Sequence, residues 1–243
     1  MQKSEENPKV SLVIVAYNEE KYIGACLEHV IKNNNGKFFE IIVVDNASTD
    51  KTAEIAKSFP GVRVVREDRK GVTRARQRGF MESTGDIVAN IDADTQMPKG
   101  WYDKVVEEFN KNKKLVCLSG PYIYYDVSVW QSFLVRLYWY LAVPVYWIIG
   151  YMAIGGNFAI QRDALEKMHG YDTNIEFFGE DTNTARRASK FGKVKFKLSF
   201  VMYTSGRRLL GHGLLKTGFV YVAQLISEAV MHKPATQKYD DIR

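Results

Sequence analysis

The sequence contains little cysteine for its 243 residues, and histidine occurs only four times. The two cysteines, Cys26 and Cys117, stand alone, and neither lies in a CxxC motif or at a Cys/His spacing that would hold zinc. No charged region followed by an apolar run marks a secretory leader at the start. Few thiols and no such leader predict a protein of the reducing cytoplasm.

Internal repeats and low-complexity linkers are also absent. The composition is that of an ordinary globular protein, with 46% hydrophobic and 26% charged residues, which is too apolar for a disordered chain. The length suits one α/β domain, or two small ones at most. The net charge of +6 fits anionic partners such as nucleic acid, phosphorylated small molecules or an acidic membrane, and it also fits a solvated basic surface.

Two further patterns are missing. A nucleic-acid binder is expected to interleave aromatic with basic residues, whereas the aromatic residues here cluster in an uncharged stretch, 137–154. A nucleotidyltransferase of similar topology would carry a glycine-rich phosphate loop after its first strand, and Tyr17-Asn-Glu-Glu20 is not such a loop. We therefore expect no nucleic acid among the partners.

The first 95 residues repeat a strand and a helix. Runs of β-branched residues, typical of buried parallel strands, alternate with segments at helical spacing. The predicted elements are the strands Val10–Ala16, Glu40–Val44, Val62–Arg66 and Ile87–Ile91 and the helices Tyr22–Ile31, Lys51–Ser58 and Gly71–Ser83. We expect Ser48 or Thr49 to cap the second helix. This order predicts an α/β fold with a doubly wound, mostly parallel sheet flanked by helices.

The second half is less regular. Its predicted elements are a helix at Lys99–Lys111, a strand at Leu115–Ser119, a helix at Thr182–Phe191 and one or two amphipathic helices within Leu209–Met231.

Polar residues follow the predicted strands at their carboxyl ends, where ligands bind in doubly wound sheets. Asp92-Ala-Asp94 comes directly after a buried strand, so both carboxylates can address one cation, and the amide of Gln96 could add an oxygen. Mg²⁺ and Mn²⁺ prefer oxygen ligands and let substrate phosphates complete their coordination shell. The same pattern also fits a solvated acidic turn.

Two other polar features have open interpretations. Asp45 either accepts hydrogen bonds from a base or ribose, or forms a turn before the next helix. The segment 69–78 contains five cations in ten residues. On a helix Arg74 and Arg78 share one face while Arg76 points elsewhere, so one face could lie over a diphosphate and the rest could be solvated.

These features resemble one known family, the inverting family 2 glycosyltransferases of the GT-A fold. The matching segments of the first half are Val13–Glu19, Val43–Asp50, Gly71–Gly79 and Ile91–Asp94. Those of the second half are Gly155–Ile160, Gly170–Asp172, Gly179–Asp181, Arg187 and Gly192. The resemblance covers residues 10–195 and implies a single GT-A domain whose donor is a nucleotide-diphosphate sugar.

The resemblance implies a role for each matching residue. Donor contacts would come from Ala16, Tyr17, Glu19, Asp45, Gly71, Arg76, Asp92, Ala93 and Arg207. The acceptor would be contacted by Gly156, Asn157 and Glu180. A divalent metal, Mn²⁺ or Mg²⁺, would be bound by Asp92, Asp94, Gln96 and His212. The run from Asp92 to Gln96 is also similar to the metal turn of polyprenyl-phosphate sugar synthases.

Asp181 is the expected catalytic base. A sugar that leaves as a nucleotide diphosphate builds up negative charge on the β-phosphate, which a divalent ion and an arginine stabilise. The acceptor hydroxyl is a poor nucleophile, so a carboxylate must take its proton as attack proceeds. Glu180 is the rival for this role, and either acid could instead serve only the N-terminus of its helix.

The uncharged stretch between Arg136 and Arg162 is long enough to suggest a transmembrane helix. Pro144 and Gly150 interrupt it, its tyrosines and tryptophans suit an interface, and one crossing would separate the two halves of the site. We expect an acceptor-side lid or a surface resting on the inner face of the membrane, with a buried pair of core helices as the alternative. Basic residues after position 206 would assist contact with anionic lipid.

The resulting hypothesis is metal-dependent, inverting transfer of a sugar to a sugar or lipid-linked acceptor. Two alternatives stay open: a nucleotide-sugar-binding scaffold without catalysis, and a polyprenyl-phosphate sugar synthase. The predicted domains are a glycosyltransferase domain at 1–205, with a nucleotide-binding half at 10–95 and an acceptor half at 96–205, and a C-terminal helical segment at 206–243.

Overall fold

The computed structural model describes residues 7–175 and 179–212, without the side chains of residues 211 and 212. The strands are β1 (Val10–Ala16), β2 (Glu40–Asp45), β3 (Val62–Arg66), β4 (Ile87–Asp92), β5 (Thr95–Gln96), β6 (Leu115–Ser119), β7 (Tyr122–Tyr124), β8 (Asn157–Gln161), β9 (Lys193–Phe196) and β10 (Met202–Thr204). The helices are α1 (Ile23–Asn34), α2 (Thr52–Lys57), α3 (Val72–Glu82), α4 (Trp101–Lys111), α5 (Val129–Ile149), α6 (Arg162–Lys167), α7 (Glu180–Ser189) and α8 (Arg207–His212).

Seven of the described strands form one sheet in the order β3-β2-β1-β4-β8-β6-β9. Within it, β8 runs antiparallel to both β4 and β6, and the other described neighbours pair in parallel. The predicted α/β fold with a mostly parallel sheet is therefore confirmed. A second sheet, β5-β10-β7, was not predicted.

The central strand β1 is buried along its whole length, which explains its unbroken run of apolar residues. Leu12 and Ile14 belong to a core cluster on one side of the sheet with residues of α1 and α4. Val13 and Val15 belong to a second cluster on the other side with residues of α3, α6 and α7. Successive side chains of a strand point to opposite faces, so β1 anchors both layers of helices.

The predicted cap of α2 is wrong. In the described part of the chain, no side chain caps this helix at its first position, Lys51. The carboxylate of Asp50 instead accepts the N–H of Thr52 at 3.0 Å. Ser48 and Thr49 are used elsewhere, since both hydrogen-bond to Asn18 in the loop after β1. The turn after β2 is therefore hydrogen-bonded to the loop after β1.

The long helix α5 differs from its prediction. It continues through Pro144, which was expected to interrupt it, and ends at Gly150 in the left-handed conformation. Within α5 itself, Val135 and Ala142 are the buried residues, so the alternative of a buried helix pair is wrong. In the described chain, α5 is the helix whose length and composition would allow a membrane crossing. Of the segment Leu209–Met231, predicted to form one or two amphipathic helices, α8 contains residues 209–212, and the remainder lies outside the described residues.

Candidate active site

The carboxyl ends of β1, β2 and β4 lie side by side at one edge of the main sheet. Ala16 is in register with Asp45, and Val15 is in register with Asp92. Because neighbouring strands are about 4.8 Å apart, this register brings Asp45 and Asp92 to one edge although they lie far apart in the sequence. The loop that carries Tyr17 and Glu19 starts at the same edge.

The predicted nucleotide residues are paired with cations. Asp45 is buried and accepts a hydrogen bond from Arg66 Nη1 at 2.7 Å. The hydroxyl of Tyr17 accepts a hydrogen bond from Lys70 Nζ at 2.7 Å, and the ammonium group lies 4.7 Å from the ring centroid. Sequence reasoning missed Arg66, although β3 ends with it in register with Asp45.

The predicted donor residues Ala16, Ala93 and Gly71 have no polar side chain, and the structure shows the roles of their backbones. Ala16 and Ala93 are buried, and the Ala93 N–H donates to the Val15 carbonyl at 3.2 Å. Gly71, with φ of 140°, donates its N–H to Asn46 Oδ1 at 2.8 Å and precedes α3. Donor contacts at these positions would be made by the backbone.

Asp94 and Glu19 share one arginine. Arg207 Nη1 donates to Glu19 Oε2 at 2.8 Å, and Arg207 Nη2 lies 3.0 Å from Asp94 Oδ2. Thr204 Oγ1 also donates to Asp94 Oδ1, at 3.3 Å. The predicted donor residues Glu19 and Arg207 and the predicted metal ligand Asp94 therefore form one cluster, in which the guanidinium group can face an anionic ligand.

Asp92 is held from two sides. Arg76 Nη2 donates to its Oδ1 at 3.1 Å, and the Tyr122 hydroxyl donates to its Oδ2 at 3.1 Å. The side chain of Arg76 is only 1% exposed and also forms an ion pair with Glu180. This burial leaves Arg76 little exposed surface, and its expected contact with the nucleotide stays a prediction.

The electrostatics of this edge suit a divalent cation. Burial, followed by the charges of Asp92 and Glu19, raises the pKa of Asp94 to about 6, although Arg207 and Arg208 oppose the shift. In the described part of the chain no three Asp, Glu, His or Cys side chains form a metal-binding group. Asp92 and Asp94 thus supply two oxygen-bearing side chains, and donor phosphates would complete the shell.

The remaining predicted metal ligands are not tested. Gln96 lies in β5, where it pairs with Tyr203 of β10. The side chain of His212 lies outside the described residues. Both assignments stay predictions.

The two candidate bases begin α7. Asp181 Oδ2 accepts the Gly155 N–H at 3.2 Å, and its Oδ1 accepts the Thr182 N–H at 2.7 Å. Burial raises the pKa of Asp181, although these backbone N–H groups and Arg76 lower it. Glu180 is buried beside Arg76, and burial raises its pKa to about 7. Burial therefore favours the protonated form of each acid more than exposure to water would.

Gly155 and Gly156 bring the backbone against both acid groups. A Cβ at Gly156 would lie 2.4 Å from Asp92 Oδ2, and one at Gly155 would lie 2.6 Å from Glu180 Oε1. Any side chain at these positions would displace the carboxylates. The glycine pair, which belongs to the segment Gly155–Ile160 that carries the family resemblance, thus connects the Asp92–Asp94 turn with the start of α7.

Asn157 does not line this surface. Its side chain is completely buried, its Oδ1 accepts from Trp101 Nε1 at 2.9 Å, and its Nδ2 donates to the Phe200 carbonyl at 2.7 Å. These core partners occupy the polar atoms of the side chain, and the predicted contact between Asn157 and the acceptor stays a prediction.

Comparison with known proteins identifies the family. Residues 11–168, more than half of the chain, match the model described as Glycosyl transferase family 2. This chain belongs to that family. Its membership agrees with the predicted resemblance and with the position of the acidic residues at the edge of the sheet.

Family 2 relatives match parts of the chain. The dolichol-phosphate mannosyltransferase of Pyrococcus furiosus is 33% identical over 120 residues, covering 47% of this chain and 34% of the relative. The glucosyl-dolichyl phosphate glucuronosyltransferase of Haloferax volcanii is 25% identical over 199 residues, covering 74% of this chain and 61% of the relative. The chain thus spans about a third of the first of these relatives and less than two thirds of the second.

Solved structures share the GT-A fold of this family 2 member. The mannosyltransferase PcManGT from Pyrobaculum calidifontis, in complex with GDP-Man and Mn²⁺, has a TM-score of 0.72 at 20% identity, covering 96% of this chain and 67% of its own. Glucosyl-3-phosphoglycerate synthase from Mycobacterium tuberculosis, in complex with Mn²⁺, UDP-Glc and phosphoglyceric acid, has a TM-score of 0.65 at 21% identity, covering 91% and 80%.

Proposed function

We propose that the protein transfers a sugar, with inversion, from a nucleotide-diphosphate sugar to a hydroxyl acceptor. The observation that supports this most directly is the connection between Asp92 and the start of α7. These segments are distant in the sequence, yet Arg76 contacts both Asp92 and Glu180. The turn that we propose to bind metal and the proposed base would thus act at one edge of the sheet.

On the donor side, Asp92 and Asp94 would hold Mn²⁺ or Mg²⁺, which would neutralise charge on the leaving diphosphate. Arg207 would supply a second positive group there, since its guanidinium already lies beside Asp94 and Glu19. Such fixed charges stabilise the developing negative charge more than the ground state. Asp45 and Tyr17 would bind the nucleoside further along the same edge.

On the acceptor side, Asp181 would accept the proton of the attacking hydroxyl. Its orientation is fixed by the N–H groups of Gly155 and Thr182, and burial raises the pKa of its carboxyl group, which makes the carboxylate a stronger proton acceptor. Glu180 is less suited, because its carboxylate is buried against Arg76. Attack assisted from this side, opposite the leaving diphosphate, would invert the anomeric carbon.

The acceptor is proposed to be a sugar or a lipid-linked hydroxyl, with the protein resting on the inner face of the membrane. The exposed apolar side chains of α5, including Trp130, Leu141, Trp147 and Ile148, support such a contact. Similarity to the dolichol-phosphate mannosyltransferase of Pyrococcus furiosus favours polyprenyl-phosphate sugar synthesis as the second candidate.

Donor binding and turnover test the proposal. We expect at least one of the UDP-, GDP- or dTDP-sugars to raise the melting temperature with Mn²⁺, and Asp94→Ala to abolish this effect. Asp181→Asn should keep donor binding but lower the turnover number by about 10²-fold or more, because the base is lost. Asp163→Asn, on the exposed face of α6, is the control and should change neither quantity.

Three results would contradict the proposal. Donor binding that needs no metal and is unchanged in Asp94→Ala would remove the metal role. Full turnover in Asp181→Asn would move the base to another residue, whereas donor binding without turnover in the wild-type protein would favour the inactive scaffold.

A further inference from the structure

Arg76 is buried at the junction of the two halves of the site. It extends from α3 between β4 and α7, and its side chain is 1% exposed. One guanidinium nitrogen, Nη2, contacts Asp92, and the other, Nη1, contacts Glu180. The guanidinium carbon also lies 5.5 Å from the centroid of the Phe158 ring. The residue is thus enclosed by groups of the site and by the strand β8.

A buried guanidinium is stabilising only when its charge is matched, because desolvation of an ion is costly. Here the two carboxyl groups in contact with it come from Asp92, at the end of β4, and from Glu180, the first residue of α7. The planar fork of arginine can contact two carboxylates at once, which the single ammonium of lysine matches poorly. Arg76 therefore fixes these two acids relative to each other.

Each of these acids stands beside a residue with a proposed chemical role. Asp92 belongs to the turn that ends with Asp94, and Glu180 precedes Asp181. The backbone of Gly155 packs against the same contact, since a Cβ there would lie 3.0 Å from Arg76 Nη2. Little space is thus left for the two segments to move closer together.

We infer that Arg76 is a positioning residue that sets the distance between the metal turn and the base at the start of α7. The inference rests on the proposed function, because it assigns Arg76 a role in aligning donor and acceptor. Arg76 would act through Asp92 on the donor side and through Glu180 on the acceptor side. Partners that orient metal ligands in this way commonly change metal affinity or activity by about 10–100-fold.

Replacing Arg76 and Glu180 one at a time separates the effect on nucleotide affinity from the effect on turnover. Arg76→Lys removes the fork, so it should weaken Mn²⁺-dependent nucleotide binding about 10-fold and lower the turnover number by about 10–100-fold. Glu180→Gln keeps the contact between Arg76 and Asp92, so nucleotide affinity should stay within about threefold of wild type. The turnover number should fall, because the start of α7 is no longer held by the ion pair. Titration calorimetry and steady-state kinetics measure the two quantities.

Arg78→Lys is the matched control. It lies two residues further along α3, its side chain is 40% exposed, and it pairs with Glu82 on the same helix. We expect wild-type affinity and turnover from this variant. Melting temperatures of all variants show whether each one is folded, and Glu180→Gln keeps the test possible if Arg76→Lys does not fold.

The outcomes separate this inference from the proposed function. If wild-type protein shows neither metal-dependent nucleotide binding nor transfer, the proposed function fails. If wild-type protein shows both, and Arg76→Lys lowers only the melting temperature, Arg76 is merely structural and the inference is overturned. A change in affinity without a change in turnover, or a loss of affinity in Glu180→Gln, would also overturn it.

Discussion

Glu180 and Asp181 are neighbours in the sequence but differ in their surroundings. Glu180 points at a buried arginine, whereas Asp181 is held by two backbone N–H groups and stays partly exposed. The sequence predicted Asp181 as the base and Glu180 as its rival, without showing how their surroundings differ. Their difference arises from α3 and from the glycine pair, which are distant in the chain, so only the folded structure distinguishes the two acids.

The Glu180 carboxyl predicts a dependence of stability on pH. Burial raises its pKa from 4.5 to about 7, so the folded protein binds this proton more tightly than the unfolded chain does. Its contribution to the free energy of unfolding therefore falls as the pH rises through this interval. We expect the melting temperature of Glu180→Gln, relative to wild type, to increase from pH 4.5 to 7 and then to level off.

This measurement uses protein without metal or nucleotide. Glu166→Gln, which replaces an exposed glutamate of α6, is the matched control for the loss of a carboxyl group. A difference that stays flat or reverses for Glu180→Gln would mean that pairing with Arg76 outweighs burial.

Arginine positions show a further limit of prediction from sequence. Helical spacing correctly separated Arg76 from Arg74 and Arg78, since Arg78 is exposed and pairs with Glu82. It did not reveal what Arg76 faces, because Glu180 arrives from the other half of the chain. Spacing gives the direction of a side chain within its own element, and the partner depends on tertiary packing.

Among the elements, those with long apolar runs were predicted best. β1 has the predicted bounds, and β2 and β4 each extend one residue further, to Asp45 and Asp92. The strands β5, β7 and β10 were missed. They are two or three residues long, so they carry no period that a sequence pattern could show, and they form by pairing with one another.

The packing of α3 on β1 requires a glycine. A Cβ at Gly79 would lie 2.3 Å from Val13 Cγ1, and this valine is completely buried. Although alanine is the better helix former, we expect Gly79→Ala to lower the free energy of unfolding by about 1–3 kcal/mol through overpacking. Urea denaturation measures the change.

Gly24 offers a matched comparison within α1. Its Cβ would meet Ile55 at 3.7 Å, an ordinary contact, so Gly24→Ala should stabilise by about 0.5–1 kcal/mol. Combining Gly79→Ala with Val13→Ala should cost less than the sum of the two changes, since the smaller side chain makes room. Equal stability of the two alanine variants would contradict the packing argument.

In the whole molecule, β8 unites the two halves of the chain. It pairs with β4 of the first half and with β6 of the second, and it follows the exposed helix α5. The mostly parallel sheet was predicted, but this reversed strand was not, because Asn157–Gln161 alone does not show its direction. Strand direction depends on the path of the connecting chain, which here includes α5.

The position of α5 excludes a single membrane crossing. β6 precedes it and β8 follows it, and these strands are neighbours in one sheet, so the chain returns to the side from which it left. Trp139 and Tyr146 also tie α5 to the protein, through hydrogen bonds to the Tyr122 and Val194 carbonyls. Its exposed side chains are free to contact the surface of a membrane.

A peripheral contact predicts vesicle binding through these side chains. Leu141 and Trp147 are 65% and 73% exposed. We expect wild-type protein to sediment with phosphatidylglycerol vesicles and the Leu141→Ser/Trp147→Ser double variant to lose most of this binding, because apolar burial at the interface is removed. Met81→Ser, which changes a 70% exposed methionine of α3, should sediment like wild type.

Unchanged sedimentation of the double variant would show that α5 does not contact the lipid. Binding that disappears in high salt and does not respond to the double variant would assign membrane contact to basic residues alone.

The segment between β7 and β8, which contains α5, has an evolutionary consequence. Both of its ends are fixed on strands, so its outward residues are free to diverge while the sheet edge that bears Asp92 and Asp94 is preserved. Sequence differences that change the membrane such an enzyme binds should therefore accumulate on α5. Exchanging this segment between homologues should change the membrane preference and leave the catalytic residues unchanged.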